Sequence, residues 1–343
     1  MDNREERIDE IGMGGFKVIQ GGGFSYGVDA VLLAAFASGE TGAKPIRSRS
    51  PARIADLGTG NGVVPFILAH KLPLAQIIGI EKNRVSLDRA IRGREINNLN
   101  DRISFVLSDV AVTGPELCRK ADAVVSNPPY STKWIGKDDP ALINDPRFSP
   151  AGVLAPKSKA DLAFTMHMLS WLAVDGTAAI VEFPGVLYRG AAEAKIRQYL
   201  VENNYVDAVI QLPPDLFFGT TIGTCIIVLK KSKQDNNVLF VDASKQFVRE
   251  GNKNKLSAEN QEMILETLAK RVDIDHVAAL VSAEAIRENG FNLSVSSYVE
   301  AEDTREEVDI VELNARIKEI VERQAVLRAS IDEIVAGLEG GAR

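Results

Sequence analysis

An asparagine, two prolines and a tyrosine close an apolar run in ADAVVSNPPYSTKW, residues 121–134. Proline cannot donate to a sheet ladder, so a strand through Val124 and Val125 must stop at Asn127. Each residue before a proline is pushed to an extended conformation. The product is a stiff loop presenting the Asn127 side-chain oxygen, the Pro128 carbonyl and the Tyr130 ring, with Pro129 fixing the geometry. Two acceptors so placed could hold the N–H bonds of an exocyclic amine, whose lone pair is otherwise delocalised into its ring. The Tyr130 face could stack on a base removed from its helix. A proline corner with a packed tyrosine is the plain structural alternative.

A second group lies upstream. DLGTGNG, Asp56 to Gly62, follows the apolar run ARIADL, and Gly58, Gly60 and Gly62 allow a ligand close to the backbone. Glu81 ends AQIIGIE, where a carboxylate can accept both hydroxyls of a ribose. Asp109 ends RISFVLSD and could receive an adenine amino group. A tight turn with two helix-capping acids would use the same residues. The set resembles the S-adenosylmethionine site of class I methyltransferases. That resemblance implies Asp56 and the turn at the methionine end, Glu81 on the ribose, Asp109 at the adenine and Asn127 beside the donor. A dinucleotide dehydrogenase fingerprint would read G-x-G-x-x-G, whereas the spacing here is G-x-G-x-G. NPPY in this place resembles the amino-methyltransferase motif of adenine-N6, cytosine-N4 and glutamine-N5 enzymes.

These residues need strand ends to hold them. Apolar runs at 52–57, 75–81, 102–109, 121–127, 176–184, 206–213 and 224–232 alternate with helical patterns. Such alternation predicts a doubly wound, mostly parallel sheet with ligands at the carboxyl strand ends. The expected architecture is α/β, a Rossmann-like class I methyltransferase with seven strands and a C-terminal helical extension. Four segments are expected: 1–50, an N-terminal segment with a cofactor-bordering helix; 51–232, the catalytic domain; 233–302, an accessory region; and 303–343, a coiled-coil-like partner helix.

Two further resemblances share the chain. From Asn127 onward, NPPYSTKW, FPGVLYRGAAEAKIRQYLVENNYVDAVIQLPPDLFFGTTIGTCIIVLKK and NGFNLSVSSYV resemble the methylation subunit of type I restriction–modification systems. That family implies adenine-N6 methylation of DNA, a specificity subunit and often a restriction subunit. Such subunits usually carry a long helical N-terminal region. Here GGFKVIQGGGFSYGVDAVLLAAFA and ARIADLGTGNGVVPFILAH, within about residues 8–130, instead resemble a tRNA(Val) adenine-N6 methyltransferase. By that likeness Phe24, Tyr26 and Asp29 border the methionine end of the cofactor; a simple loop and N-cap before AVLLAAF is equally consistent. Both halves point to one cofactor and one atom of adenine, and DNA is the expected substrate, with RNA the alternative. A module that keeps the fold without turnover is a third reading, opposed by the intact motifs.

Phe217, Phe218 and Gly219-Thr220 could wall a flipped base or fill ordinary core. Lys133 and Lys137 are placed for phosphate, and Arg189 either touches phosphate or flanks a helix start.

The 343 residues carry a net charge of −7, and 45% are hydrophobic, enough for a real core. A protein that grips nucleic acid alone is usually basic on one face, so a partner is expected to supply much of the binding. No long apolar run suggests a membrane span, no signal sequence is evident, and Cys118 and Cys225 suit a reducing, cytoplasmic setting. The three scattered histidines give no metal spacing. Near the C-terminus, Ile310, Leu313, Ile317, Ile320, Gln324, Leu327, Ile331, Ile334 and Leu338 step alternately by three and four. That is a coiled-coil seam with one polar position, expected either to dock another chain or to pack on its own domain.

Overall fold

The computed structural model describes residues 6–11, 14–21, 29–38, 51–110, 121–216, 221–251, 253–302 and 309–340. The described elements begin with a hairpin, β1 (Arg7–Glu10) and β2 (Lys17–Gln20), and the helix α1 (Asp29–Ser38). Then come β3 (Arg53–Leu57), α2 (Val63–Lys71), β4 (Gln76–Glu81), α3 (Arg84–Ile96), β5 (Ile103–Leu107) and β6 (Ala121–Ser126). Short α4 (Pro140–Ile143) and α5 (Asp161–Trp171) precede β7 (Leu172–Glu182), α6 (Ala191–Glu202), β8 (Val206–Gln211) and β9 (Cys225–Lys230). β10 (Asn237–Asp242), the hairpin β11 (Val248–Glu250) and β12 (Lys253–Lys255), α7 (Ala258–Lys270), β13 (Ala278–Ser282) and α8 (Ala283–Glu288) complete this part. A 31-residue helix, α9 (Ile310–Gly340), follows.

Nine strands form one sheet in the order β13-β10-β8-β9-β7-β6-β3-β4-β5. β5, β4, β3, β6 and β7 run parallel, and β9 is antiparallel to both β7 and β8. The chain leaves β3 toward β4 and β5, then returns to β6 on the other side. The switch point of this doubly wound sheet therefore lies between the carboxyl ends of β3 and β6, where such folds bind ligands. Both sequence-selected groups sit there.

The expected seven strands become nine. The run at 224–232 is not the last: β10 pairs parallel to β8, and β13 pairs antiparallel to β10. Val238, Leu239, Phe240 and Val241 are all buried, so this stretch gains more by widening the central sheet than by standing apart. The expected boundary at 232 falls inside that sheet. The chain divides into compact units at 300/301 instead.

Successive residues of the central strands feed opposite faces. Ile54, Ala123 and Val125 join one buried cluster with α1 and α2, while Ala55, Leu57 and Val124 join another with α5 and α6. α1 is apolar almost all round: Leu32, Leu33, Ala34, Ala35, Phe36 and Ala37 are buried, as expected for a helix enclosed by its neighbours. In the second unit, from Ala301, α9 is the one described element, and among the described residues of that unit none covers the seam. Among the described residues, no helix is long and apolar enough to cross a membrane.

Candidate active site

The glycine turn is tied to the neighbouring strand. Gly58 and Thr59 both donate backbone N–H bonds to the carbonyl of Ile80, the β4 residue before Glu81, at 2.9 Å. Gly60 N–H donates to Glu81 Oε2 at 2.9 Å, and Asn83 N–H donates to Glu81 Oε1 at 2.7 Å. Each carboxylate oxygen thus accepts one fixed bond and keeps lone-pair capacity for a ligand. Gly58 and Gly60 have φ of 81° and 55°, and a Cβ on either would enter open space. Gly62 differs: at φ 84° it opens α2, and a Cβ would press on the Phe105 and Phe66 rings at 3.0 and 3.1 Å. Two glycines keep the front of the turn bare, and the third lets α2 pack behind it.

Asp56 lies beneath this turn, 2% exposed, accepting a 2.6 Å bond from Thr59 Oγ1. Burial pushes its carboxyl up to about 7, and the Glu81 charge adds to the rise while the Thr59 bond opposes it. The raised value means that protonation favours the folded chain. That contribution is complete below the ordinary value of 3.8 and is lost as pH climbs through about 7. Asp56→Asn should therefore be more stable than wild type at pH 8, on the order of 2–4 kcal/mol, with the gap shrinking toward pH 4. Denaturant unfolding across that range checks it; a constant gap contradicts the buried-charge account.

The Asn-Pro-Pro-Tyr loop is anchored independently. Ser126 Oγ donates to the Leu57 carbonyl at 2.5 Å, joining the ends of β6 and β3. Ser131, at φ 51°, donates its N–H to Asp161 Oδ1 at 2.7 Å. Ala160 N–H reaches the Thr132 carbonyl at 2.8 Å, and Trp134 Nε1 donates to the Pro156 carbonyl at 3.0 Å. Within the loop, Tyr130 Oη donates to Asn127 Oδ1 at 3.2 Å. Pro128 is buried, Pro129 exposed, and Asn127 and Tyr130 half-buried, the Tyr130 ring lying against the α1–α2 core.

A cleft of about 440 Å³ opens at this switch point. Of the sequence-selected residues, Gly58, Glu81, Asp109, Pro129 and Lys133 line it. Asp56, Gly60, Gly62, Asn127, Pro128 and Tyr130 adjoin those residues in sequence but do not line it. Asp109 stands two residues beyond β5 rather than within it, 3.7 Å from Lys82 Nζ. Lys137 is exposed in a short 3-10 turn. Arg189 lies 5.5 Å over the Phe183 ring and 3.4 Å from Glu193, so it already has partners within the protein. Phe24, Tyr26, Phe217, Phe218, Gly219 and Thr220 lie outside the described residues; Asp29 opens α1.

Sequence reading missed Ser126, Asp161, Trp134 and Phe164. Phe164 and Trp134 line the apolar wall of the cleft. Only Asp161 carried a signal, as an acid heading the otherwise apolar helix DLAFTMHMLSW.

The family model described as N-6 DNA methylase matches residues 68–307. A type I restriction enzyme methylase subunit of Mycoplasma pneumoniae is 48% identical over 219 residues, covering 64% of this chain and 40% of the relative. The solved methyltransferase subunit of a type I restriction–modification system from Streptococcus thermophilus superposes with TM-score 0.74 at 35% identity, covering 82% of this chain and 60% of that one. A tRNA(Val) adenine-N6 methyltransferase of Porphyromonas gingivalis is 34% identical over 107 residues, 30% of this chain and 40% of the relative. The matched stretches thus cover between two fifths and three fifths of the length of these relatives.

Proposed function

Because this chain belongs to the N-6 DNA methylase family, we propose that it methylates the exocyclic N6 of adenine in DNA, using S-adenosylmethionine, as the modification subunit of a type I restriction–modification complex. The single observation that supports this best is the anchoring of Asn127–Tyr130 to the end of β3, beside the cleft that Gly58, Glu81 and Asp109 line.

The residues present fit the cofactor. The cleft volume suits a nucleoside-sized ligand. The side-chain-free front of Gly58 and Gly60 admits a close approach, the partly satisfied Glu81 carboxylate can take ribose hydroxyls, and Asp109 offers an acceptor at the far end. When bound, S-adenosylmethionine supplies an electrophilic methyl on a sulfonium. The chain supplies position. Asn127 Oδ1 and the Pro128 carbonyl accept the two N–H bonds of the adenine amine and turn its lone pair toward the donor. Tyr130 stacks on the extruded base, exchanging its present bond to Asn127 for that contact. Lys133, exposed at the cleft rim, meets the phosphate backbone. For Phe217 and Phe218 at the base, and for Tyr26 and Asp29 at the methionine end, the proposed roles rest on the sequence alone; Tyr26, Phe217 and Phe218 lie outside the described residues. Incubating DNA with this chain, a specificity subunit and cofactor, then digesting to nucleosides for mass spectrometry, should yield N6-methyladenine. Methylcytosine, or no methylated base, would overturn the reading.

A tRNA substrate is the second reading, supported by the likeness to the tRNA enzyme. That likeness covers 30% of the chain, whereas the DNA methylase model spans residues 68–307, including the whole substrate loop. The DNA reading is favoured for that reason.

The seam on α9 is proposed to dock the specificity subunit. Its apolar positions repeat every three and four residues over 31 residues of helix, with Gln324 the one polar seam position, able to set register at some cost in stability. Truncation after Asp303 removes this seam and leaves the nine-stranded sheet intact. The truncated chain should bind cofactor at wild-type affinity yet fail to co-purify with a specificity subunit. Wild-type recovery of the complex would place the dock elsewhere, and an unfolded product would assign the helix to its own domain.

A further inference from the structure

Behind the Asn127–Tyr130 loop lies a group of buried polar residues that the chemistry above does not use. Asp161 is 2% exposed; its Oδ1 accepts the Ser131 N–H and its Oδ2 has no hydrogen-bond partner. Glu182, fully buried at the end of β7, accepts a 3.0 Å bond from Thr165 Oγ1 at Oε1, and its Oε2 also has no partner. Ser126 pairs with Ile180, so Glu182 stands two residues further along β7, level with the start of the loop. Thr165 lies four residues after Asp161 on α5, so the helix presents both on one face, and the Thr165 bond to Glu182 sets the two buried carboxyls beside each other. Two buried carboxyl oxygens without partners are costly unless a proton is shared between them.

We propose that Glu182 and Asp161 form a proton-sharing carboxyl pair, Glu182 Oε2–H donating to Asp161 Oδ2, which positions the catalytic loop through the Ser131 N–H. The surroundings agree with a neutral Glu182. Burial first, and then the Asp161 charge, hold its carboxyl well above the ordinary range; Glu193 adds to the rise, while the Thr165 bond and Arg189 oppose it. Cys225 pairs with it from β9, its own thiol pushed up chiefly by burial, so this neighbour brings no cation to favour an ionised Glu182. With the proton in place, Asp161 has both oxygens bonded and its direction is fixed. It can then hold Ser131 in the left-handed conformation that a serine rarely adopts unaided. Glu182 touches neither donor nor base, and so acts as a positioning residue. The catalytic consequence rests on the assignment of Asn127–Tyr130 as the amine-holding loop; the pair itself does not.

Three readouts on the full chain test it. Infrared difference spectra should show the carbonyl band of a neutral carboxylic acid at pH 8, lost in Glu182→Gln. Asp161→Asn should shift that band rather than leave it in place, since an amide replaces the strongly accepting carboxylate while Glu182 stays buried. Hydrogen exchange of the peptide 127–134 should rise at least about fivefold in Glu182→Ala, with β6 and β7 unchanged. In Glu182→Gln, whose amide can replace the donor, the rise should stay within about twofold. With a specificity subunit and DNA, Glu182→Ala should lose about tenfold in kcat with KM for the cofactor unmoved, and Glu182→Gln should recover most of it. Wild-type kcat should also fall at alkaline pH as Glu182 ionises, a limb absent in Glu182→Gln. Absence of the neutral-acid band, or loop exchange unaltered in Glu182→Ala, overturns the pair. If wild type transfers no methyl group at all, the functional assignment fails instead, and the infrared and exchange results still decide the pair. If Glu182→Ala does not fold, Glu182→Gln and Asp161→Asn carry the test.

Discussion

Asn127→Ala should reduce methyl transfer by about a hundredfold to a thousandfold, the size of loss seen when one positioned polar group is removed from a reacting centre. Cofactor affinity should barely change. The two expectations differ because Asn127 is held at the β6 end, whereas the residues proposed to contact the cofactor, Gly58 and Glu81, stand at the β3 and β4 ends. Ser126 Oγ still ties β6 to the Leu57 carbonyl in the variant, and Ser131 still bonds to Asp161, so the loop keeps its course. What disappears is one acceptor for the amine, and with it the orientation of the lone pair. Tyr130 gives the internal control. Tyr130→Phe loses only the 3.2 Å bond to Asn127 and keeps the stacking face, so it should stay within about tenfold of wild type. Tyr130→Ala loses the face and should fall well below that. Single-turnover rates together with calorimetry separate these outcomes. An Asn127→Ala protein that keeps most of its turnover removes the catalytic role.

Glu81→Ala should weaken cofactor binding by roughly 1.5–3 kcal/mol, about tenfold to 150-fold in Kd, because charge-assisted bonds to the ribose hydroxyls are lost. The carboxylate also holds the turn, through the Gly60 and Asn83 N–H groups. Alanine therefore removes ligand contacts and turn anchors together, and the larger figure is expected. Glu81→Gln separates the two contributions. Its amide oxygen can keep one backbone bond, but its NH2 must face the second N–H or the ribose, so it should lie between wild type and alanine. Calorimetric titration reads all three, and equal affinities across the series would remove Glu81 from the site.

The parts of this site legible in the sequence were those that break local rules. Two prolines after ADAVVS, and three glycines between a strand and a helix, each have a backbone reason to exist, and each lies where a strand must end. Glu81 was readable because an acid closing an apolar run falls at a carboxyl strand end. The supports were not readable. Ser126 looks like any small residue inside a buried strand, and its bond to Leu57 follows from strand order, which pairs residues 69 positions apart. Asp161 and Glu182 are distant in sequence from the loop they lie behind, and meet only because α5 and β7 pack there. The strand count failed for a related reason. β10 and β13 read as accessory because the polar hairpin β11–β12 and α7 interrupt them, although their residues pair straight onto β8 and each other. Pairing across long intervals depends on the global fold and leaves little local trace.

The most direct test of the account is transfer of tritiated methyl groups to DNA and to tRNA in parallel, each with and without a specificity subunit, for wild type and Asn127→Ala. The account predicts label on DNA in the presence of the specificity subunit, none on tRNA, and loss of the DNA label in Asn127→Ala. Label on tRNA alone, or DNA labelling that survives Asn127→Ala, would contradict it.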